Sequence, residues 1–187
     1  MNLLIDKLPT DYEGLKINTN FRSFILFELL MQDNSIDTEN KILLSLNLFF
    51  EEPPKDLKKA IDGILWLYRC GEEEKKPKKV SKQEEPRKKQ IFSFEYDAKY
   101  IYSAFLDQYG LDLNEIDYLH WFKFKALFEG LKSDNKICEI MGYRAIDLSK
   151  IKDKEQKQHY KRLQREFALP DNRTTEEKEQ DFANALW

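Results

Sequence analysis

The stretch Tyr118-Leu-His-Trp-Phe-Lys-Phe-Lys-Ala-Leu-Phe-Glu-Gly-Leu131 constrains the fold more than any other in the chain. Its spacing predicts a helix opening at Asp112 or Asn114. Ile116, Trp121, Phe124, Leu127, Phe128 and Leu131 then share one broad face. Leu119, Phe122 and Ala126 add a second apolar strip, and only Lys125, Glu129 and Lys132 mark a wet side. A helix apolar over more than half its circumference requires neighbours on both flanks. Those neighbours come from adjoining segments or from another protein.

Composition supports a genuine core around that helix. The chain has 187 residues, enough for one medium domain or two small ones, and 41% of them are hydrophobic despite 35% charged. Six glycines and six prolines favour helices over a turn-rich β sandwich. The net charge of −3 gives no global basic field for DNA. No apolar run approaches the ~18 residues of a membrane span. The start, Met-Asn-Leu-Leu-Ile-Asp, meets an acid at once and lacks the basic lead of a signal peptide. Cys70 and Cys138 lie in different halves, which fits two reduced thiols in a cytoplasmic protein better than a disulfide framework.

The expected fold is mainly α, with a small N-terminal β-hairpin, three helices, and a second helical half. Leu3-Leu-Ile and Leu15-Lys-Ile read as strands around a break at 8–14. Helices are predicted from Phe21 to Gln32, capped by Thr19 or Asn20, and from Thr38 to about Phe50, capped by Asp37 and stopped by Pro53-Pro54. A third starts at Asp56 and stops near Gly71. Residues 1–71 thus form a hairpin-plus-three-helix module. Residues 72–90 are a charge run: from 72 to 89, eight basic and five acidic side chains, two prolines and one apolar residue bury nothing and read as a flexible linker. Residues 91–170 form a second helical module. It holds a helix capped by Asp97 and ended at Gly110, the opening helix, a short helix from Ser133 or Asn135 to Tyr143, and a charged helix over Lys150–Phe167 with a thin stripe of Ile151, Tyr160, Leu163 and Phe167. Residues 171–187 are a tail with a short helix carrying Phe182, Leu186 and Trp187.

Residue spacing reveals no chemistry. His120 can be paired with Cys138 as base and nucleophile, or with His159 and acids as a metal site, but no His-Glu-x-x-His, Cys-x-x-Cys or glycine-flanked serine supports either. A packed histidine with a satisfied hydrogen bond is the simpler reading. No glycine loop cradles a phosphate. The expectation is a non-enzyme, with no catalytic, cofactor-binding or metal-ligating residue and no cofactor. A helix-turn-helix over 133–150 would present several acids to DNA, which disfavours nucleic acid as a partner.

Dispersed fragments carry a family resemblance. Leu8-Pro, Ile17-Asn-Thr-Asn-Phe-Arg22, Phe94-x-Tyr96-Asp97, Tyr100-x-x-x-Ala104-Phe105 and Tyr109-Gly-Leu-Asp-Leu113 begin it. His120-Trp-Phe-Lys-Phe124, Ala126-Leu-Phe-x-Gly-Leu131, Tyr143-Arg144-x-x-Asp147 and Phe167-Ala-Leu-Pro170 continue it in order. Together they resemble the bacteriophage gene-product-fifteen family of small siphophage and prophage tail-module proteins. The family pattern has Trp-Trp after the histidine; Trp121-Phe122 keeps an aromatic but not the second indole N–H. The resemblance implies a non-enzymatic tail morphogenesis factor, a tail assembly chaperone in the host bacterial cytoplasm. Its partners would be the tape-measure and tail-tube proteins, with a homo-oligomer as a further expectation. The alternative is a structural tail or connector component of the virion, and after it a DNA-binding regulator. Candidate partner-binding residues are Trp121, Phe124, Phe128, Tyr160, Leu163, Phe167, Phe182, Leu186 and Trp187.

Overall fold

The computed structural model describes residues 2–72 and 90–170. Among these, seven α-helices follow a two-stranded hairpin: β1 Asp11–Tyr12, β2 Leu15–Lys16, α1 Phe21–Gln32, α2 Thr38–Phe49, α3 Leu57–Tyr68, α4 Ala98–Tyr109, α5 Trp121–Glu129, α6 Lys136–Ala145 and α7 Lys154–Glu166. The fold is mainly α, as the sequence predicts. The 73–89 charge run and the 171–187 tail, with the helix expected there, lie outside the described residues.

Side-chain caps place most helix starts. Asn20, Asp37, Asp56 and Asp153 each accept a hydrogen bond from a backbone N–H in the first turn of the helix that follows. Gly110 closes α4 at φ 63°, in the left-handed region that spares glycine a Cβ clash. The charged helix is shorter than its pattern suggests. A 3-10 turn occupies Leu148–Lys150, and α7 starts only at Lys154.

The hairpin differs from its expected form. Its first strand falls inside the segment read as a break, with register Asp11↔Lys16 and Tyr12↔Leu15. Glu13 (φ 48°) and Gly14 (φ 82°) make a two-residue turn with both φ positive, which pairs only its immediate flanks. Leu3, Leu4 and Ile5 therefore belong to no strand. The hairpin leans on α3, where Gly63 allows close approach: a Cβ there would sit 2.7 Å from Ile17 Cδ1 and 3.0 Å from Tyr12 Cβ.

The opening helix is also shorter than its sequence pattern. Residues 111–119 form turns and extended chain, and α5 begins only at Trp121, capped by His120. The reason is a junction with the first half. Asn20 and His120 pair as an antiparallel bridge. The Phe21 N–H donates to the Leu119 carbonyl (2.9 Å), and the Trp121 N–H donates to the Thr19 carbonyl (2.8 Å). These are the first N–H groups of α1 and α5, which no helix satisfies internally. Each helix start thus supplies the acceptor the other lacks. Arg22 reinforces the junction by donating from Nη2 to the carbonyls of Leu113 (2.7 Å) and Asn114 (3.2 Å).

Behind the junction the two halves of the chain share one core. Phe21, Phe24, Phe27, Phe49 and Leu67 lie in the same buried cluster as Phe94, Phe105, Trp121, Phe124 and Phe128. The Trp121 ring stacks between Phe24 (centroids 5.1 Å) and Tyr68 (5.9 Å), and its indole N–H donates to the Tyr68 carbonyl (3.0 Å). Phe124 stacks on Phe21 (5.0 Å) from α1 and Phe105 (5.1 Å) from α4. The boundary drawn at 72–90 therefore runs along the chain and does not separate two cores.

A second junction ties the far end. The Arg144 guanidinium of α6 grips Asp97 with two hydrogen bonds, Nη1 to Oδ2 at 2.6 Å and Nη2 to Oδ1 at 2.9 Å. The same guanidinium donates to the carbonyls of Ile91 (3.0 Å) and Phe167 (2.6 Å), and Asp97 Oδ2 accepts the Ser93 N–H (2.9 Å). Asp97 and Arg144 are 1% and 6% exposed. The expected capping bond from the Asp97 side chain to α4 is absent because its carboxylate is already engaged by these groups.

Candidate partner-binding cleft

The outer side of α5, the side turned away from the aromatic stack, borders an open cleft of about 590 Å³. The opposite wall is the N-terminal segment 3–10. Leu3, Leu8, Tyr118, Ala126 and Leu127 supply its apolar lining; Asp6, Lys7, Thr10, His120 and Lys123 supply its polar groups. The volume lies within the ~300–1,000 Å³ of specific small-ligand and side-chain pockets. Helical periodicity places Lys123 opposite the buried Trp121, Phe124 and Phe128, with the exposed Ala126 to one side of it and the half-buried Leu127, which also borders the core, to the other. A larger cleft of about 960 Å³ runs between β2 and the end of α2, but its lining mixes Leu15, Ile17 and Phe50 with Lys16, Asn18, Asn47, Glu51 and Glu52. Tyr118 borders both clefts, its hydroxyl 2.7 Å from that of Thr19.

His120 joins the smaller cleft to the helix junction. Its Nδ1 accepts the Phe122 N–H at 3.1 Å, so the proton sits on Nε2 and donates to the Pro9 carbonyl at 2.8 Å. Pro9 sits between the lining residues Leu8 and Thr10, and the histidine thereby pins that segment to the start of α5. Burial pushes the imidazole pKa down, opposed by the Pro9 hydrogen bond and assisted by Lys123. Protonation would also set a second N–H against that of Phe122 and add positive charge where two helix N-termini meet. The sign of the pH dependence follows. His120 contributes its stability in full above the unfolded value of ~6.5 and loses it as pH falls through the depressed folded value. Glu28 acts oppositely, since burial raises its carboxyl pKa and acid favours its folded form. The His120 contribution is therefore read as a difference. Between about pH 7 and pH 5 the wild type should lose more stability in urea titrations than His120→Asn, which keeps a cap but does not titrate.

The sequence-predicted site residues fall in three places. Trp121, Phe124 and Phe128 are 1%, 0% and 8% exposed and form the core, presenting no surface. Tyr160, Leu163 and Phe167 are half-buried along α7, where Phe167 packs on Tyr143 of α6 with ring centroids 6.0 Å apart. The described ring contacts of Trp121, Phe124 and Phe128 do not include Tyr160 or Phe167, so these two groups of candidate residues lie apart. Phe182, Leu186 and Trp187 lie outside the described residues. Sequence reasoning missed Leu3, Leu8 and Tyr118 as a cleft wall. The only available signal was that Leu3-Leu-Ile sits too far from Leu15 for a two-residue hairpin turn.

No enzymatic constellation forms from the residues singled out. His120 is occupied by Pro9 and Phe122, while the Cys138 thiol lies 3.8 Å from the Leu131 carbonyl. Burial pushes the Cys70 thiol up to about 11 and raises that of Cys138, so both stay protonated at neutral pH. Among the described residues no group of three His, Cys, Asp or Glu side chains is placed to hold a metal, and no helix is long and apolar enough to cross a membrane.

The sequence model of the family described as Bacteriophage Gp15 protein matches residues 4–169. The chain belongs to the bacteriophage Gp15 family. No curated protein and no solved structure gives a match. The Gp15 match spans both junctions, the shared core and the cleft apart from Leu3, and it includes the charged run. Asn20, Phe21 and Arg22, His120 and Trp121, Asp97, Arg144 and Phe167 belong to the fragments that carry the resemblance. In this Gp15 protein they are the residues that lock distant segments together.

Proposed function

We propose that this member of the bacteriophage Gp15 family is a non-enzymatic phage tail morphogenesis factor, a tail assembly chaperone acting in the host cytoplasm. Its clients are the tape-measure and tail-tube proteins. The observation that carries the reading is the apolar cleft between residues 3–10 and α5, on a protein of a phage family. A chaperone for a long helical client needs an exposed apolar recess that takes a few side chains of an amphipathic helix and releases them. Leu8, Tyr118, Ala126 and Leu127 offer such a recess, and Lys7 and Lys123 beside it suit a client helix with acidic flanks. The recess uses the outer side of the same helix whose inner aromatics make the core.

The test is calorimetric titration of the full chain with helical fragments of the tape-measure protein from the same phage, and with its tail-tube subunit. Binding to one of them is expected, and Ala126→Arg, on an exposed position of the cleft, should weaken it by about tenfold or more. Absence of binding to both clients would end the chaperone reading. Stoichiometric presence in finished virions would favour a structural component instead.

A further inference from the structure

The wall of the cleft carries a feature that client binding does not use. Residues 2–6 form a tight turn. The Asn2 N–H donates to the Asp6 carboxylate (2.6 Å), the Leu4 N–H donates to Asn2 Oδ1 (2.9 Å), and the N–H groups of Ile5 and Asp6 donate to the Asn2 carbonyl (3.1 and 2.8 Å). This turn holds Leu4 94% exposed and Ile5 81% exposed. Two adjacent large aliphatics held out on a hydrogen-bonded turn add to the exposed apolar area beside the cleft. Leu3 and Asp6, on the same turn, line the cleft, so the projection and the recess are neighbours on one face.

We propose that a second copy of this chain covers that face in a two-fold dimer. The Leu4–Ile5 turn of each copy seats in the cleft of the other, and Asp6 of each faces Lys123 across the contact. A two-fold interface must be self-complementary, so a knob on the patch has to meet a hole on the same patch of the other copy. This patch holds an aliphatic knob, an apolar recess, one carboxylate, and the two ammonium groups of Lys7 and Lys123. A foreign partner would need only the recess and would leave the knob in water; a second copy occupies both. The face is small beside a stable dimer interface, so the association is weak and concentration-dependent. The inference rests on the client reading in one respect: client and second copy compete for one cleft, so client binding splits the dimer.

Sedimentation of the full chain from about 5 µM to about 500 µM tests this, a range that brackets weak contacts. A shift from monomer to dimer is expected. Leu4→Asp with Ile5→Asp removes the knob, and Ala126→Arg blocks the recess; each should raise the half-dimer concentration by about tenfold or more. All three positions are exposed, so thermal unfolding of the variants should match the wild type. Mixing the two variants should restore association, because the intact knob of one meets the intact recess of the other. A wild type that stays monomeric throughout, variants that dimerise as it does, or a mixture that restores nothing would each overturn the proposal. The knob variant should still bind the tape-measure fragment. Client binding by a strictly monomeric wild type overturns the dimer alone, and a dimer that ignores every client overturns the chaperone reading alone.

Discussion

Replacing Arg144 with Met is expected to destabilise the fold by about 3–5 kcal/mol, measured by urea unfolding at neutral pH. The substitution keeps the aliphatic volume but strands the Asp97 carboxylate in a site where it is 1% exposed. It also removes the donors for two carbonyls, those of Ile91 and Phe167. A buried charge without its partner is costly because no water replaces the lost hydrogen bonds. The pair itself is a smaller net contributor, since desolvating both ions offsets much of their attraction. Arg144→Met combined with Asp97→Leu should therefore recover part of the loss. Recovery stays incomplete because the Ser93 N–H and the two carbonyls remain without partners, each worth about 1–3 kcal/mol if kept from water. A double variant no better than Arg144→Met would show that the backbone groups, and not the stranded carboxylate, set the cost.

Trp121→Ala should cost a comparable amount, about 3–5 kcal/mol, and should loosen both halves of the chain together. The indole is fully enclosed, stacked between Phe24 of α1 and Tyr68 at the end of α3, with Phe124 beside it at 5.6 Å. Its removal leaves a cavity against three elements that cannot all collapse into it. Trp121→Phe keeps most of the stacking but strands the Tyr68 carbonyl and should cost about 1–3 kcal/mol. Amide exchange gives the more telling readout. Because α1 and α5 share the junction at Asn20 and His120, protection should fall in α1 and α4 alike. Loss confined to residues 90–170 would mean that the halves unfold independently.

Local order was readable residue by residue. Phe21–Gln32 is a helix in both readings because its apolar positions nearly encircle it and Asn20 stands ready as a cap. Thr38–Phe49 and Ala98–Tyr109 follow from Asp37, Gly110 and the surrounding periodicity in the same way. The errors have one cause. Tyr118–Leu131 has helical spacing from its first residue, yet its first three residues are extended, because Leu119 and Trp121 give their backbone groups to Thr19 and Phe21, about a hundred residues away. Asp97 stands where a cap belongs, yet its carboxylate goes to Arg144. Leu3-Leu-Ile has strand composition, yet the turn at Glu13 and Gly14 selects nearer partners.

The candidate site shows the same division. A wheel of α5 separates the aromatic face from the Lys123 and Ala126 side, but it cannot say which side meets the chain's own core. Covering by α1, α3 and α4 took Trp121, Phe124 and Phe128 out of contention as a surface. The cleft that remains depends on a second wall, residues 3–10, drawn from the opposite end of the chain and held by the bond between His120 and Pro9.

By itself the sequence determined what short-range physics determines, helix positions from periodicity and caps, and, through scattered fragments, kinship with a phage family. The tertiary structure decided that the two halves share a core, that Asp97 is an ion-pair partner and not a cap, and that the open face of α5 is a cleft with a projecting turn beside it. Capping and periodicity act over a few residues. Which buried carbonyl or carboxylate a distant donor reaches depends on how the whole chain packs, and no local pattern records it.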